Sequence, residues 1–277
     1  MAVQISNAFV TLFDSEVKQA YQGQRLLAGV TRERTGVEGS TVRFPKIGKG
    51  SATLRVPQTD VTPLNVSYSQ VTATMEDYIA AEYSDIFNQQ KVNFNERQEL
   101  VQVVSGAIAR RMDQVCLDAL DASGTTATVS NDIGGTDSNL NIEKLRETKN
   151  LLDTNNVPME GRNLLLHANS LQSLLGETEV TSADFNTVRA LVTGEINTFM
   201  GFRFITFGDR DEGGLPVDGS SDRTLYAFHR DAVGLGIGMN QTSRVDYIAE
   251  KTSFLVASMF SAGAVAIDDE GIVKNTC

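Results

Sequence analysis

The sequence predicts an α+β fold in which a projecting β-ribbon and one long helix precede a lobe of alternating helices and strands. Three observations carry that prediction. Residues 41–75 alternate apolar and polar side chains around glycine and proline turns. Residues 95–122 repeat apolar side chains by threes and fours with no proline. From Asn141 onward, helical periods alternate with short, continuous apolar runs, the pattern of an α/β lobe.

Taken in order, residues 6–22 read as an amphipathic helix, with Phe9, Leu12, Phe13, Val17 and Tyr21 on one stripe. Residues 23–40 offer only Leu26, Leu27, Val30 and Val37 between four glycines, so this opening segment reads as an arm that packs on something else. Thr41–Ile47 and Ala52–Val56 alternate on either side of the Gly48-Lys49-Gly50-Ser51 turn, and Leu64–Met75 alternates again after Pro63. A two-stranded ribbon of this kind is marginal in water and calls for a neighbouring surface.

Asn95 is placed to cap the long helix, with Glu96 and Glu99 near the positive end of its dipole. At about 1.5 Å per residue the helix spans roughly 40 Å, a spine for a chain of this size. Residues 123–140 read as a connection containing a hairpin around Asn131–Gly135. Asn141 caps the next helix, which stops at Asn155-Asn156. Asn163–His167 is a buried strand, followed by short helices through Leu171 and Leu175 and over 183–193. Phe199–Ile205 reads as one strand, and residues 224–273 are mostly strand, above all Arg244–Ala249 and Ala264–Ile267.

Composition narrows the function. Of 277 residues, 41% are hydrophobic and 21% charged, which suits a globular chain with one continuous two-lobed fold. No apolar run reaches the roughly 20 residues of a membrane helix, and Met1–Asn7 lacks the pattern of a secretory signal. The net charge of −11 argues against general nucleic-acid binding. Its distribution is uneven. Residues 1–60 carry eight Lys or Arg against five Asp or Glu, and residues 61–277 carry sixteen against thirty. A basic opening on an acidic remainder can pair between copies, although chance variation accounts for it equally well.

Catalytic constellations fail one by one. The glycines of Gly234-Leu235-Gly236-Ile237-Gly238 fit kinks in a strand better than a dinucleotide loop. His167 and His229 have no partner at metal-ligand spacing. Cys116 and Cys277 are too few and too far apart for a disulfide framework. Asp209, Asp211 and Glu212 before Gly213-Gly214 resemble the start of a calcium loop, but Gly213 and Ser220 stand where oxygen donors are needed, so an acidic turn is the better reading.

Four pieces in order resemble the major capsid proteins of tailed bacteriophages, which share the Hong Kong 97 capsid fold. These are the arm and ribbon, the spine helix, the turn and strand Val157-Pro158-Met159-Glu160-Gly161-Arg162-Asn163-Leu164-Leu165-Leu166-His167, and the segment Gly194–Gly208 with its Gly201-Phe202 strand. The tail from Val233-Gly234-Leu235 and Arg244 is similar to the family's closing strand.

The resemblance implies an N-terminal arm (1–34), an E-loop (35–75), a P-domain (76–139, spine helix 95–122) and an A-domain (140–240). A returning P-domain strand (241–259) and a C-terminal strand and tail (260–277) complete the expected plan. It also implies a structural, non-enzymatic subunit without cofactor or metal, forming pentamers and hexamers of an icosahedral shell in the virion, assembled in the host cytoplasm. Expected partners are other copies, a portal protein, a possible decoration protein and, because the chain opens directly with the arm, a separate scaffolding protein. Packaged DNA is expected to make only weak contact with the acidic wall, and no membrane is involved. Candidate inter-subunit residues are Phe9, Phe13, Arg25, Arg32, Arg34, Arg43, Lys46 and Lys49. Some relatives cross-link an E-loop lysine to a neighbour's asparagine; Lys46 and Lys49 fit ordinary ion pairs better. Competing readings are an encapsulin-like compartment, a hydrolase built on Asp209, Asp211 and Glu212, and a tail protein, for which repeats are absent.

Overall fold

A computed structural model describes residues 23–61, 63–89, 95–177, 198–210, 212–219 and 221–277. The expected helices at 6–22, with Phe9 and Phe13, and at 183–193 lie outside the described residues, as do Asp211 and Ser220.

Two sheets and a ribbon make up the strands. The ribbon pairs β2 (Thr41–Ile47) antiparallel with β3 (Tyr68–Thr74), from Thr41 opposite Thr74 to Ile47 opposite Tyr68. Its ladder is shorter than the alternation suggests. Ala52–Val56 forms no strand, and the second arm begins at Tyr68 rather than Leu64. Asn65 takes a positive φ of 45°, which breaks the extended run, and Leu54 is 94% exposed, so no apolar surface rewards pairing there.

The four-stranded sheet has the order β1 (Arg32–Thr35), β10 (Val233–Ile248), β11 (Ser253–Ala266), β4 (Glu76–Asp85). β4, which follows the ribbon directly and leads into the short α1 (Ile86–Gln89), is a strand beyond those expected from the sequence pattern. The long helix is α2 (Glu96–Asp121), and it packs along β11 and β4. The Asn95 side chain makes no capping bond; only its carbonyl accepts, from the Gln98 and Glu99 amides. Val104, Ile108, Met112, Val115 and Leu120 form the buried stripe.

The six-stranded sheet has the order β5 (Thr128–Val129), β12 (Ile272–Thr276), β9 (Thr224–His229), β6 (Arg162–His167), β8 (Phe202–Phe207), β7 (Thr198–Phe199). Every residue of β6 is buried, as its continuous apolar run requires. Two expectations change here. The connection at 123–140 is not a hairpin, because β5 pairs parallel with β12 at the far end of the chain. The strand expected at 199–205 is itself a hairpin, turning at Met200 (φ 52°) and Gly201 (φ 89°), the paired positive angles of a two-residue turn.

Asn141 caps α3 (Ile142–Thr154) as expected, accepting from the Lys144 amide at 2.7 Å. His167 caps α4 (Ala168–Gly176) in the same way, accepting from Asn169 N. Strands β10 and β11 continue past 240–241 and 259–260, with register irregularities of their ladder between Ile237 and Thr242.

Candidate assembly surfaces

The root of the ribbon is bedded on its own subunit. Val42, Phe44, Ala73 and Ile267 form a small buried cluster of their own. Glycines make that approach possible. A Cβ on Gly234 would stand 2.8 Å from the Phe44 ring, one on Gly236 2.6 Å from Val42, and one on Gly263 2.1 Å from the Thr74 carbonyl oxygen. The glycines read from sequence as strand kinks are thus the seat of the ribbon.

Two ion pairs hold the next turn. Lys46 Nζ lies 2.7 Å from Asp268 and Lys49 Nζ 2.6 Å from Glu270, on the turn around Asp269–Gly271. The hydrogen bond to Glu270 holds the Lys49 ammonium above the usual lysine range. Both pairs are within one chain, so these lysines have local partners before any second copy arrives.

Past Gly48 the ribbon loses its support. Leu54, Val61 (88% exposed) and Tyr68 (80%) present apolar surface to solvent. A second such surface lies on the four-stranded sheet. Tyr78 stacks on Phe260 with the Arg111 guanidinium above its ring, and Ser84 donates to Glu96, so these residues face α2. By alternation Ile79 and Tyr83 face the other way, opposite Met259 and Leu255, and Ile79 is 66% exposed. The sequence carried a signal for this face, since Ile79, Ala81 and Tyr83 recur by twos.

The segment entering from residue 23 is anchored rather than loose. Asp113, in the middle of α2 and fully buried, accepts from Leu26 N at 2.9 Å and Leu27 N at 3.0 Å, with Arg210 3.3 Å away. Burial pushes its carboxyl up, against the opposing pull of those amides and of Arg210. Leu27 and Val30 join the main core. Nothing in the helical pattern marks Asp113 for this role, because an acidic residue inside a helix normally reads as solvated.

The remaining expected residues separate into two groups. Arg25 is paired with Glu33 at 2.8 Å. Arg32, Arg34 and Arg43 are exposed and, among the described residues, have no carboxylate partner, although Arg34 donates to the Arg43 carbonyl at 3.4 Å.

The residues tried for chemistry serve the fold. Asp209 pairs with Arg223 at 2.9 Å and Glu212 with Arg111 at 3.4 Å, which divides the acidic turn between two arginines. His167 Nε2 lies 3.2 Å from Asp209 without a hydrogen-bonding angle. His229 bonds the Glu160 carbonyl at 2.8 Å and caps the turn after β9. Cys116 is buried, and desolvation pushes its thiol to about 12. Among the described residues no group of His, Cys, Asp and Glu could hold a metal, and no helix is long and apolar enough to cross a membrane.

No curated protein sequence matches this chain. Solved structures do. The capsid of cyanophage P-SCSP1u superposes with a TM-score of 0.78 at 15% identity, covering 99% of this chain and 94% of that one. The capsid of Helicobacter pylori bacteriophage KHP30 gives 0.77 at 12%, with 99% and 97% covered. Mycobacterium phage Che8 gives 0.74 at 18%, with 95% of each covered. These likenesses establish the tailed-phage capsid fold. The phage capsid protein family matches residues 5–277, nearly the whole sequence, and this chain belongs to it.

Proposed function

We propose that this capsid subunit self-assembles into the pentamers and hexamers of an icosahedral shell around a phage genome, and that its ribbon makes the contacts between copies. The observation that carries this is the apolar tip of the ribbon. Leu54 and Val61 project almost fully exposed from a well-seated base, with little of the described residues against them. Within this reading residues 1–34 are the arm, 35–75 the E-loop, 76–139 with 241–259 the P-domain, 140–240 the A-domain and 260–277 the closing strand and tail. Lys46 and Lys49 set the angle at which the ribbon leaves its subunit, Arg25 braces β1 through Glu33, and Arg32, Arg34 and Arg43 meet other copies. Scaffolding, portal and decoration proteins are the partners that go with a shell of this kind, and the packaged DNA faces a wall that repels it. The role is structural rather than catalytic.

Negative-stain electron microscopy with light scattering on the purified full chain tests this. Closed shells, or rings that close when a scaffolding partner is supplied, are expected. A monodisperse monomer under every such condition overturns the reading.

A further inference from the structure

The four-stranded sheet is electrically lopsided. One of its edges is β1, with Arg32 and Arg34 exposed two residues apart. Beside it, on the ribbon, Arg43 follows Val42 and precedes Phe44, both turned into the body, so its own side chain points out. Arg34 and Arg43 line a shared recess of about 290 Å³ with Gly36, Val37, Glu38 and Thr41. Glu33 is taken up by Arg25, so the edge stays net positive.

The opposite edge is β4, whose ten residues carry Glu76, Asp77, Glu82 and Asp85 and no basic side chain. Over the strand's length, roughly 30 Å at about 3.4 Å per residue, none of the four is in an ion pair among the described residues. Glu76 accepts from the Tyr78 hydroxyl, Glu82 from the Tyr83 amide and Asp85 from the Phe87 amide, and those bonds leave the charge uncompensated. The cations that reach the strand do so at tyrosines: Lys251 lies over the Tyr83 ring and donates to its hydroxyl at 2.9 Å, and Arg111 lies over Tyr78.

Charge on a free edge strand guards against indiscriminate pairing, and mixed signs would serve that purpose equally well. Here β4 is purely acidic and the β1 side is net basic, so the two edges have opposite net signs. Such a surface is complementary to itself by translation or rotation around a ring, and not by a two-fold axis. It is the arrangement of a head-to-tail contact that closes into rings. We infer that neighbouring copies within a ring meet edge to edge, with Arg32, Arg34 and Arg43 of one copy receiving the carboxylates of β4 of the next. The inference rests on the capsid reading and specifies which surfaces of two copies face each other.

The test uses the full chain under conditions in which the unaltered protein yields shells, with particles counted by sedimentation and microscopy. Reversing Arg34 and Arg43 to Glu lowers the yield at least about tenfold, as does reversing Asp77 and Glu82 to Lys, because each sets like charges against each other. Combining all four changes restores the yield to within about threefold of the unaltered protein. The milder pair Arg34→Gln and Arg43→Gln, which introduces no like charge, keeps the subunit soluble with an unchanged melting curve and still lowers the yield. Normal yield from either reversal, or no recovery in the combined variant, overturns the inference. Full-yield shells that lack DNA in the arginine variants also overturn it, and assign those arginines to phosphate. If no condition, with or without a scaffolding partner, yields shells from the unaltered chain, the assembly reading itself falls, and that outcome is distinct from failure of the edge contact.

Discussion

The six-stranded sheet and the ribbon obey the same physics with opposite results. In the sheet, every residue of β6 is buried, and even the Lys144 ammonium is enclosed, bonded to the carbonyls of Ser138 and Thr276. In the ribbon, seven ladder positions and a cluster of four buried residues support a tip whose largest apolar side chains touch solvent. The difference teaches where this fold is finished by its own chain and where it waits for another. A region that buries its apolar side chains internally sets the stability of the subunit. A region that leaves apolar surface exposed carries that free energy forward to assembly.

The sharpest way to break the comparison is to alter the tip alone. Leu54→Ser with Val61→Ser is expected to leave the denaturation midpoint of the isolated subunit within about 0.5 kcal/mol of the original, as for any exposed change. Shell yield should fall by at least about tenfold, since each subunit loses buried apolar area at every contact and the losses multiply around a shell. Unaltered assembly would show that the tip is merely an exposed loop.

The next largest effect belongs to the anchored entry segment. Asp113→Ala removes the acceptor for Leu26 N and Leu27 N and strands the Arg210 guanidinium, so a loss of about 3 kcal/mol is expected in denaturant unfolding. A midpoint shift below about 1 kcal/mol would mean that the segment from residue 23 is held by Leu27 and Val30 alone. Between sheet and ribbon stands Gly263→Ala. Its methyl group would meet the Thr74 carbonyl oxygen, backbone that has no rotamer to yield, and about 2 kcal/mol is expected. The Lys46–Asp268 pair should open as the ribbon lifts, which nuclear magnetic resonance of the lysine ammonium can follow.

How much of this was legible in the sequence depends on whether the signal was local. The spine helix, β6 and the Asn141 cap each announce themselves within a dozen residues, and each stands where expected. The parallel pairing of β5 with β12 joins residues about 145 positions apart, and no local pattern could report it. Strand β4 is hard to read from sequence because acidic residues fall on both of its faces and obscure the alternation of Ile79, Ala81 and Tyr83. For the assembly surfaces, the basic character of residues 1–60 was readable from composition. Which of those cations would find partners in their own chain was not, since Lys46 and Lys49 pair with carboxylates more than 200 positions away. Asp113 was hidden by its type, because buried helix carboxylates are rare enough that solvation is the better bet.

The smallest effect tests the sheet side of the comparison by pH. Cys116 is enclosed between α2 and the core, and its thiol is pushed from 9.0 to about 12, first by desolvation and then by the charge of Asp113. A folded-state value above the unfolded one means that the unfolded chain ionises first as pH rises. The stability associated with this thiol is therefore complete below about pH 9 and drains away between about 9 and 12. At pH 10 the loss is about 1.4 kcal/mol, one tenfold factor in the unfolding equilibrium. Cys116→Ala removes that slope while adding a constant cost for the missing sulfur, so the two unfolding profiles should converge as pH climbs from 8 to 10. Parallel profiles would show that solvent reaches Cys116, and that this part of the body is less completely closed than its burial indicates.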